Sequence, residues 1–277
     1  MMVFNKWNIA LLIVLPLLVM FAVAGCGGKQ KQSNEDTNVK IAGSTSVQPL
    51  SEELAEVFME KHPDVTVSVQ GGGSTAGVEA ANTGTANIGA ASRELKDSEK
   101  GYGFTETLIA KDGIAVVVNP ANKVDDLSME QIKKIFSGEI KNWSQVGGKD
   151  QLITVVVREE GSGTRGAFEE IVLGKDGKFV VSAIIQNSSG AAKNTVINDP
   201  NGVAFISLGS VDSAVKALKV DGVEASSQKV LDGSYKISRP FLYLAKGEID
   251  AVAKAYIEFV LSEEGQNIVA EEYVPIN

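Results

Sequence analysis

Short runs of β-branched residues along the chain alternate with longer stretches in which apolar positions recur at helical spacing. Residues 39–42, 65–69, 114–118, 153–157 and 203–206 are of the first kind and read as strands. Within 47–61, Leu50, Leu54, Val57 and Phe58 fall three or four apart, which predicts a helix with one buried face, and 251–261 reads the same way. Strand and helix in alternation predict an α/β fold. No repeat is sustained along the chain.

The first segment has a different pattern. Lys6 precedes an apolar run from Ile9 to Ala24, interrupted by Pro16 and ending in Val23-Ala24-Gly25-Cys26. The architecture is that of a signal peptide over residues 1–25 rather than an uncleaved anchor, for which the run is short. The small residues before the sole cysteine resemble a bacterial lipobox, which implies lipidation of Cys26. Residues 26–37 are polar and without periodicity, as expected of a flexible tether.

Composition narrows the function. With 44% hydrophobic and 22% charged residues in 277, the chain can bury one large core or two moderate ones. Once 1–25 are set aside, 25 basic and 35 acidic side chains remain, a net charge of −10. Nucleic acid is then an unsuitable partner, since a phosphate backbone demands a basic face. The same acidity means that an anionic ligand must be held by local donors in a shielded cleft. With Cys26 acylated, no thiol is left for a disulfide or a metal cluster.

Three of the strands run directly into a Gly/Ser/Thr cluster and then a helix. The clusters are Gly43-Ser44-Thr45-Ser46, Gly71-Gly72-Gly73-Ser74-Thr75-Ala76-Gly77, and Arg158-Glu159-Glu160-Gly161-Ser162-Gly163-Thr164-Arg165. A helix start exposes unpaired N–H groups at the positive end of the helix dipole, glycine admits close approach, and hydroxyls add donors. Any one cluster is explained by ordinary N-capping; three together could surround a tetrahedral anion. Arg158, otherwise a candidate for a surface pair with Glu159 or Glu160, would supply the charge through a two-pronged guanidinium.

Other chemistries lack their residues. The third cluster has no Gly-Lys-Ser/Thr ending for a nucleotide, no Gly-x-Ser-x-Gly elbow occurs, and the only histidine, His62, lies in a turn-like Lys61-His62-Pro63-Asp64. A hydrolytic triad and a metal centre are both unsupported, and no cofactor is implied.

Taken together, Ile41-Ala42-Gly43-Ser44-Thr45-Ser46-Val47, Gly72 to Gly77, Ile88-Gly89-Ala90-Ala91-Ser92-Arg93 and Arg158 to Arg165 resemble the phosphate-binding proteins of bacterial Pst-type ABC importers. Asn142-Trp143-Ser144 and Asn201-Gly202-Val203-Ala204-Phe205-Ile206 extend the resemblance over nearly all of 38–277. It implies a type II periplasmic-binding-protein fold: two α/β lobes joined by two crossover strands, with the ligand between them. Lobe one would be 38–113 with 237–277, and lobe two 114–236. Phosphate would be contacted by Thr45, Ser46, Ser74, Ser92, Arg93, Arg158, Ser162, Gly163 and Thr164, with Ser44 supporting them and Glu160 orienting Arg158.

The sequence departs from the family at one position. Where many members carry an aspartate that accepts the proton of phosphate, this chain has Ser92, followed by Arg93, which could instead pair with Glu94 or another acid. Loss of a carboxylate weakens the usual discrimination against sulfate, so a sulfate binder is the nearest rival; a surface phosphatase or an adhesin is more distant. The resemblance further implies a monomer, lipid-anchored outside the cell membrane, that passes phosphate to the permease and ATPase subunits of an importer.

Overall fold

The structure, a computed structural model, describes residues 37–277. The expected signal peptide, Cys26 and the tether up to residue 36 lie outside the described residues. The first lobe begins β1 (Asn38–Gly43), α1 (Gln48–Lys61), β2 (Thr66–Gly71), α2 (Ser74–Thr83), β3 (Ile88–Ala91) and α3 (Asp97–Lys100). The long β4 (Phe104–Val118) leads into the second lobe: β5 (Asp126–Leu127), α4 (Met129–Ser137), β6 (Thr154–Arg158), α5 (Gly163–Phe168), β7 (Ile184–Gln186) and α6 (Ser189–Asn198). There follow β8 (Gly202–Ser207), β9 (Lys216–Ala217), β10 (Lys219–Val220) and α7 (Ser227–Leu231); β11 (Ser238–Lys246) then returns to the first lobe, which ends in α8 (Ala251–Leu261) and α9 (Glu263–Glu272).

The strands form a sheet in the order β2-β1-β3-β11-β4-β8-β6-β7, with β9 added beside β4. β4 and β11 join the lobes. Up to Gly113, β4 pairs antiparallel with β11, and from Ile114 to Val118 it pairs with β8 instead. The apolar core divides at the same place. Ile41, Leu50, Phe58, Ile109, Phe241 and Tyr256 pack in one group, while Ile114, Val116, Trp143, Phe168, Phe205 and Ile237 pack in another.

All five strands read from the sequence are present, but the third of them, β4, begins ten residues earlier than its β-branched run, at Phe104. In the second lobe Phe168 and Phe205 stack at 4.2 Å, with Phe136 edge-on to Phe168 at 4.8 Å, and hold α4 and α5 against β8. α4 carries a reciprocal cap: Ser128 Oγ accepts from the Gln131 N–H at 3.1 Å, and Gln131 Oε1 accepts from the Ser128 N–H at 2.8 Å. Ser128→Ala is expected to lower stability by about 1 kcal/mol, read as a shift of the urea midpoint with unchanged slope.

Candidate anion-binding site

Four strand-to-helix turns converge where the lobes meet. At the first, β1 ends in Gly43 at φ 145°, where a Cβ would lie 2.1 Å from the Ala90 carbonyl oxygen. Only glycine allows β1, β3 and α2 to approach so closely here. The chain then turns so that the Val47 and Gln48 N–H groups both donate to the Ser44 carbonyl, presenting Ser44, Thr45 and Ser46 at the start of α1. At the second turn the Gly72 and Gly73 N–H groups donate to the Gly43 carbonyl, which sets Ser74 as the first residue of α2.

These turns bring their hydroxyls together with Ser92, just past β3. Ser44 Oγ donates to Ser92 Oγ at 2.8 Å, the Ser92 N–H donates to Ser74 Oγ at 3.0 Å, and Ser74 Oγ lies 3.3 Å from Ser92 Oγ. From the other lobe, Ser162 caps α5 by accepting from the Arg165 N–H at 3.2 Å, leaving Gly163 and Thr164 in the first turn. Thr164 Oγ1 then stands 2.8 Å from Ser46 Oγ, a contact between lobes. A second contact is backbone: the Thr75 N–H donates to the Gly161 carbonyl at 3.0 Å.

Arg158, at the end of β6, is 2% exposed and supplies the charge. Its Nη1 donates to Ser189 Oγ at 3.0 Å and its Nη2 to Thr45 Oγ1 at 3.1 Å. Glu159 grips the opposite edge of the guanidinium through Nε at 3.0 Å and Nη2 at 2.9 Å. The orienting acid is therefore Glu159 and not Glu160, which is exposed. Arg165 Nη1 donates to the Arg158 carbonyl at 2.9 Å and steadies the backbone from below.

Arg93 also departs from expectation. Its guanidinium is spent on Glu99, at 2.7 and 2.8 Å, with further bonds to the Glu94 carbonyl and to Thr75 Oγ1. It braces the wall between α2, α3 and β3 rather than offering a free fork to the cleft. Burial pushes the Glu99 carboxyl up, but hydrogen bonds from Arg93 and the Lys96 N–H, with the charge of Arg93, outweigh it and hold the group below its ordinary value. A carboxyl depressed on folding stabilises fully above its unfolded pKa, about 4.3, and loses that contribution as pH falls through the folded value. The melting-temperature gap between the protein and Glu99→Gln is therefore expected to be widest at neutral pH and to close below about pH 4.

Ser189 is a site residue that the sequence reading missed. The Ser188 hydroxyl caps α6, and Ser189 Oγ lies 3.0 Å from Ser46 Oγ and 3.3 Å from Thr45 Oγ1, besides receiving Arg158. The signal was there: Asn187-Ser188-Ser189-Gly190 follows β7 as the other clusters follow their strands. β7 has only three residues, two of them exposed, so its apolar run is too short to mark a strand.

The arrangement is a ring of buried hydroxyls from both lobes around one guanidinium, suited to replacing the water shell of a small oxyanion. Fold and cleft together define a two-lobed solute-binding protein of the type II class. The model of the PBP superfamily domain matches residues 28–264. The phosphate-binding protein PstS of Bacillus subtilis strain 168 is 35% identical, over 98% of this chain and 95% of its own length. Among solved structures, a putative phosphate ABC transporter substrate-binding protein from Clostridium perfringens with bound phosphate is 47% identical, with a TM-score of 0.85, covering 87% of this chain and all of that one. An ABC-type phosphate transport receptor from Vibrio cholerae is 40% identical, with a TM-score of 0.71 over 86% of this chain and 99% of the other. The chain belongs to the PstS family of the PBP superfamily.

Proposed function

We propose that the protein captures inorganic phosphate outside the cell membrane and delivers it to an ABC importer, without catalysing a reaction. The observation that carries this reading is a chain of hydrogen bonds across the cleft: Arg158 donates to Thr45 and Ser189, Ser189 meets Ser46, and Ser46 meets Thr164. Phosphate would be held by these groups together with Ser74, Ser92, Ser162 and Gly163, with Ser44 and Glu159 setting the orientation of the donors and Arg93 bracing the wall. The lobes in this reading are 38–113 with 237–277, and 114–236.

Binding would proceed by closure. An open cleft admits the anion, and donors from both lobes make the closed state the one that binds it better. The related phosphate-binding protein and the solved structures of phosphate transport receptors support the choice of ligand. No histidine enters the cluster: His62 closes the far end of α1, with its ring 4.3 Å from that of Phe58. Among the described residues no helix is long and apolar enough to cross a membrane; the lipid on Cys26 would hold a monomeric protein at the membrane.

Sulfate is the second reading, favoured by one observation: hydroxyls rather than a carboxylate surround Ser92. A retention experiment tests the main proposal. The protein, stripped of carried-over anion, is dialysed against radiolabelled inorganic phosphate and, in parallel, incubated with a chromogenic phosphate monoester with and without divalent metal. One phosphate retained per chain and no ester turnover is the expected result. No retention, or turnover abolished by Arg158→Ala, would contradict it.

A further inference from the structure

A second buried ion pair lies where the two crossover strands pass each other. Asp112 on β4 and Arg239 on β11 are register partners, 1% and 4% exposed. Arg239 donates to Asp112 Oδ2 from Nη2 at 2.8 Å and from Nε at 3.2 Å. Each partner has a further bond to one lobe: Arg239 Nη1 donates to the Ser92 carbonyl at 3.2 Å, and Asp112 Oδ1 accepts from the Leu208 N–H at 3.2 Å. Leu208 follows β8 in the second lobe, whereas Ser92 stands in the hydroxyl cluster of the first.

We propose that the Asp112–Arg239 pair is a positioning element of the anion site, fixing the Ser92 carbonyl against the crossover so that the Ser92 hydroxyl is held toward Ser44 and Ser74. The proposal rests on the reading of that cluster as the anion site. Stability alone is a poor reason for such a pair. Burial pushes the Asp112 carboxyl up and the Arg239 guanidinium down, each against the pull of its partner's charge, and two well-packed apolar side chains in such a place often serve a fold as well or better. What an apolar pair could not do is hold one carbonyl and one N–H, from different lobes, at fixed positions on the strands that join them. Among the described residues no other group donates to the Ser92 carbonyl, and a small displacement of its Oγ would open the contacts at 2.8 and 3.3 Å to Ser44 and Ser74.

The test separates position from stability. Asp112→Leu with Arg239→Met replaces the pair by apolar groups, and Arg239→Lys keeps a charge beside Asp112 but removes the fork that reaches Ser92. Titration with inorganic phosphate and thermal melting are measured for both variants and for the unchanged protein. Both variants are expected to fold, with affinity reduced about 10- to 100-fold, the size of effect seen when the outer partner that orients a metal ligand is lost. Phosphate affinity equal to that of the unchanged protein in either folded variant overturns the proposal. Should the unchanged protein itself ignore phosphate, the reading of the site falls, and the positioning claim is decided by ligand-free amide exchange. Faster exchange at Ser92 and Arg93 in Arg239→Lys supports it, and unchanged exchange overturns it.

Discussion

Arg158→Ala is expected to weaken phosphate binding by about 30- to 4,000-fold, the equivalent of the 2–5 kcal/mol typical of truncating one member of a buried, hydrogen-bonded charge pair. Among the described residues the guanidinium is the one cation with donors aimed at Thr45 and Ser189, and every other group in the ring is a neutral hydroxyl or an N–H. The surrounding protein offers no help, because a net charge of −9 on the whole chain repels a dianion at long range. Glu159 would be left without its partner, but it is about a quarter exposed and can be solvated, so folding is expected to survive. Arg158→Lys separates charge from geometry. A single ammonium cannot grip Glu159 and donate to Thr45 and Ser189 at once, so calorimetry should place its affinity between those of the protein and the alanine variant.

Gly163→Ala is expected to act on closure instead of charge. Gly163 opens α5, where alanine suits the second lobe by itself. The added Cβ would lie 2.3 Å from Ser74 Oγ and 2.7 Å from Ser92 Oγ, both in the first lobe and both fully buried. Overpacking of that kind costs about 1–3 kcal/mol, and here the cost falls on the closed state alone, so affinity should drop about 5- to 150-fold. Small-angle scattering with saturating phosphate should show less compaction than in the unchanged protein, while the ligand-free melting temperature stays the same or rises. A lower ligand-free melting temperature with full compaction would show that the glycine serves the second lobe and not the contact between lobes.

How much of this was legible in the sequence depended on how each element is stabilised. Strands buried on both faces, such as β6 and β8, declare themselves as β-branched runs, and the clusters that follow β1, β2 and β6 are legible because glycine and serine contrast with those runs. The first half of β4 does not, since Lys111-Asp112-Gly113 cuts it off from the β-branched run; it is strand because β11 pairs with it and Arg239 neutralises Asp112. β3 is built of Ile88-Gly89-Ala90-Ala91, small residues of weak strand preference. It is fixed by β1 on one side and β11 on the other, and by the close approach of α2, where a Cβ on Gly89 would meet the Gly77 carbonyl oxygen at 2.4 Å. The choice between Glu159 and Glu160 was beyond spacing altogether, because adjacent residues leaving a strand point in different directions and only the turn decides which reaches Arg158.

The central claim is that a ring of hydroxyls around Arg158 binds phosphate and discriminates it from sulfate without a carboxylate at position 92. Calorimetric titration of the anion-stripped protein with phosphate and then sulfate, from pH 5 to 9, tests it most directly. Tight one-site binding of phosphate, with sulfate silent, is the predicted result; sulfate binding as tightly as phosphate, or neither anion binding, would contradict it.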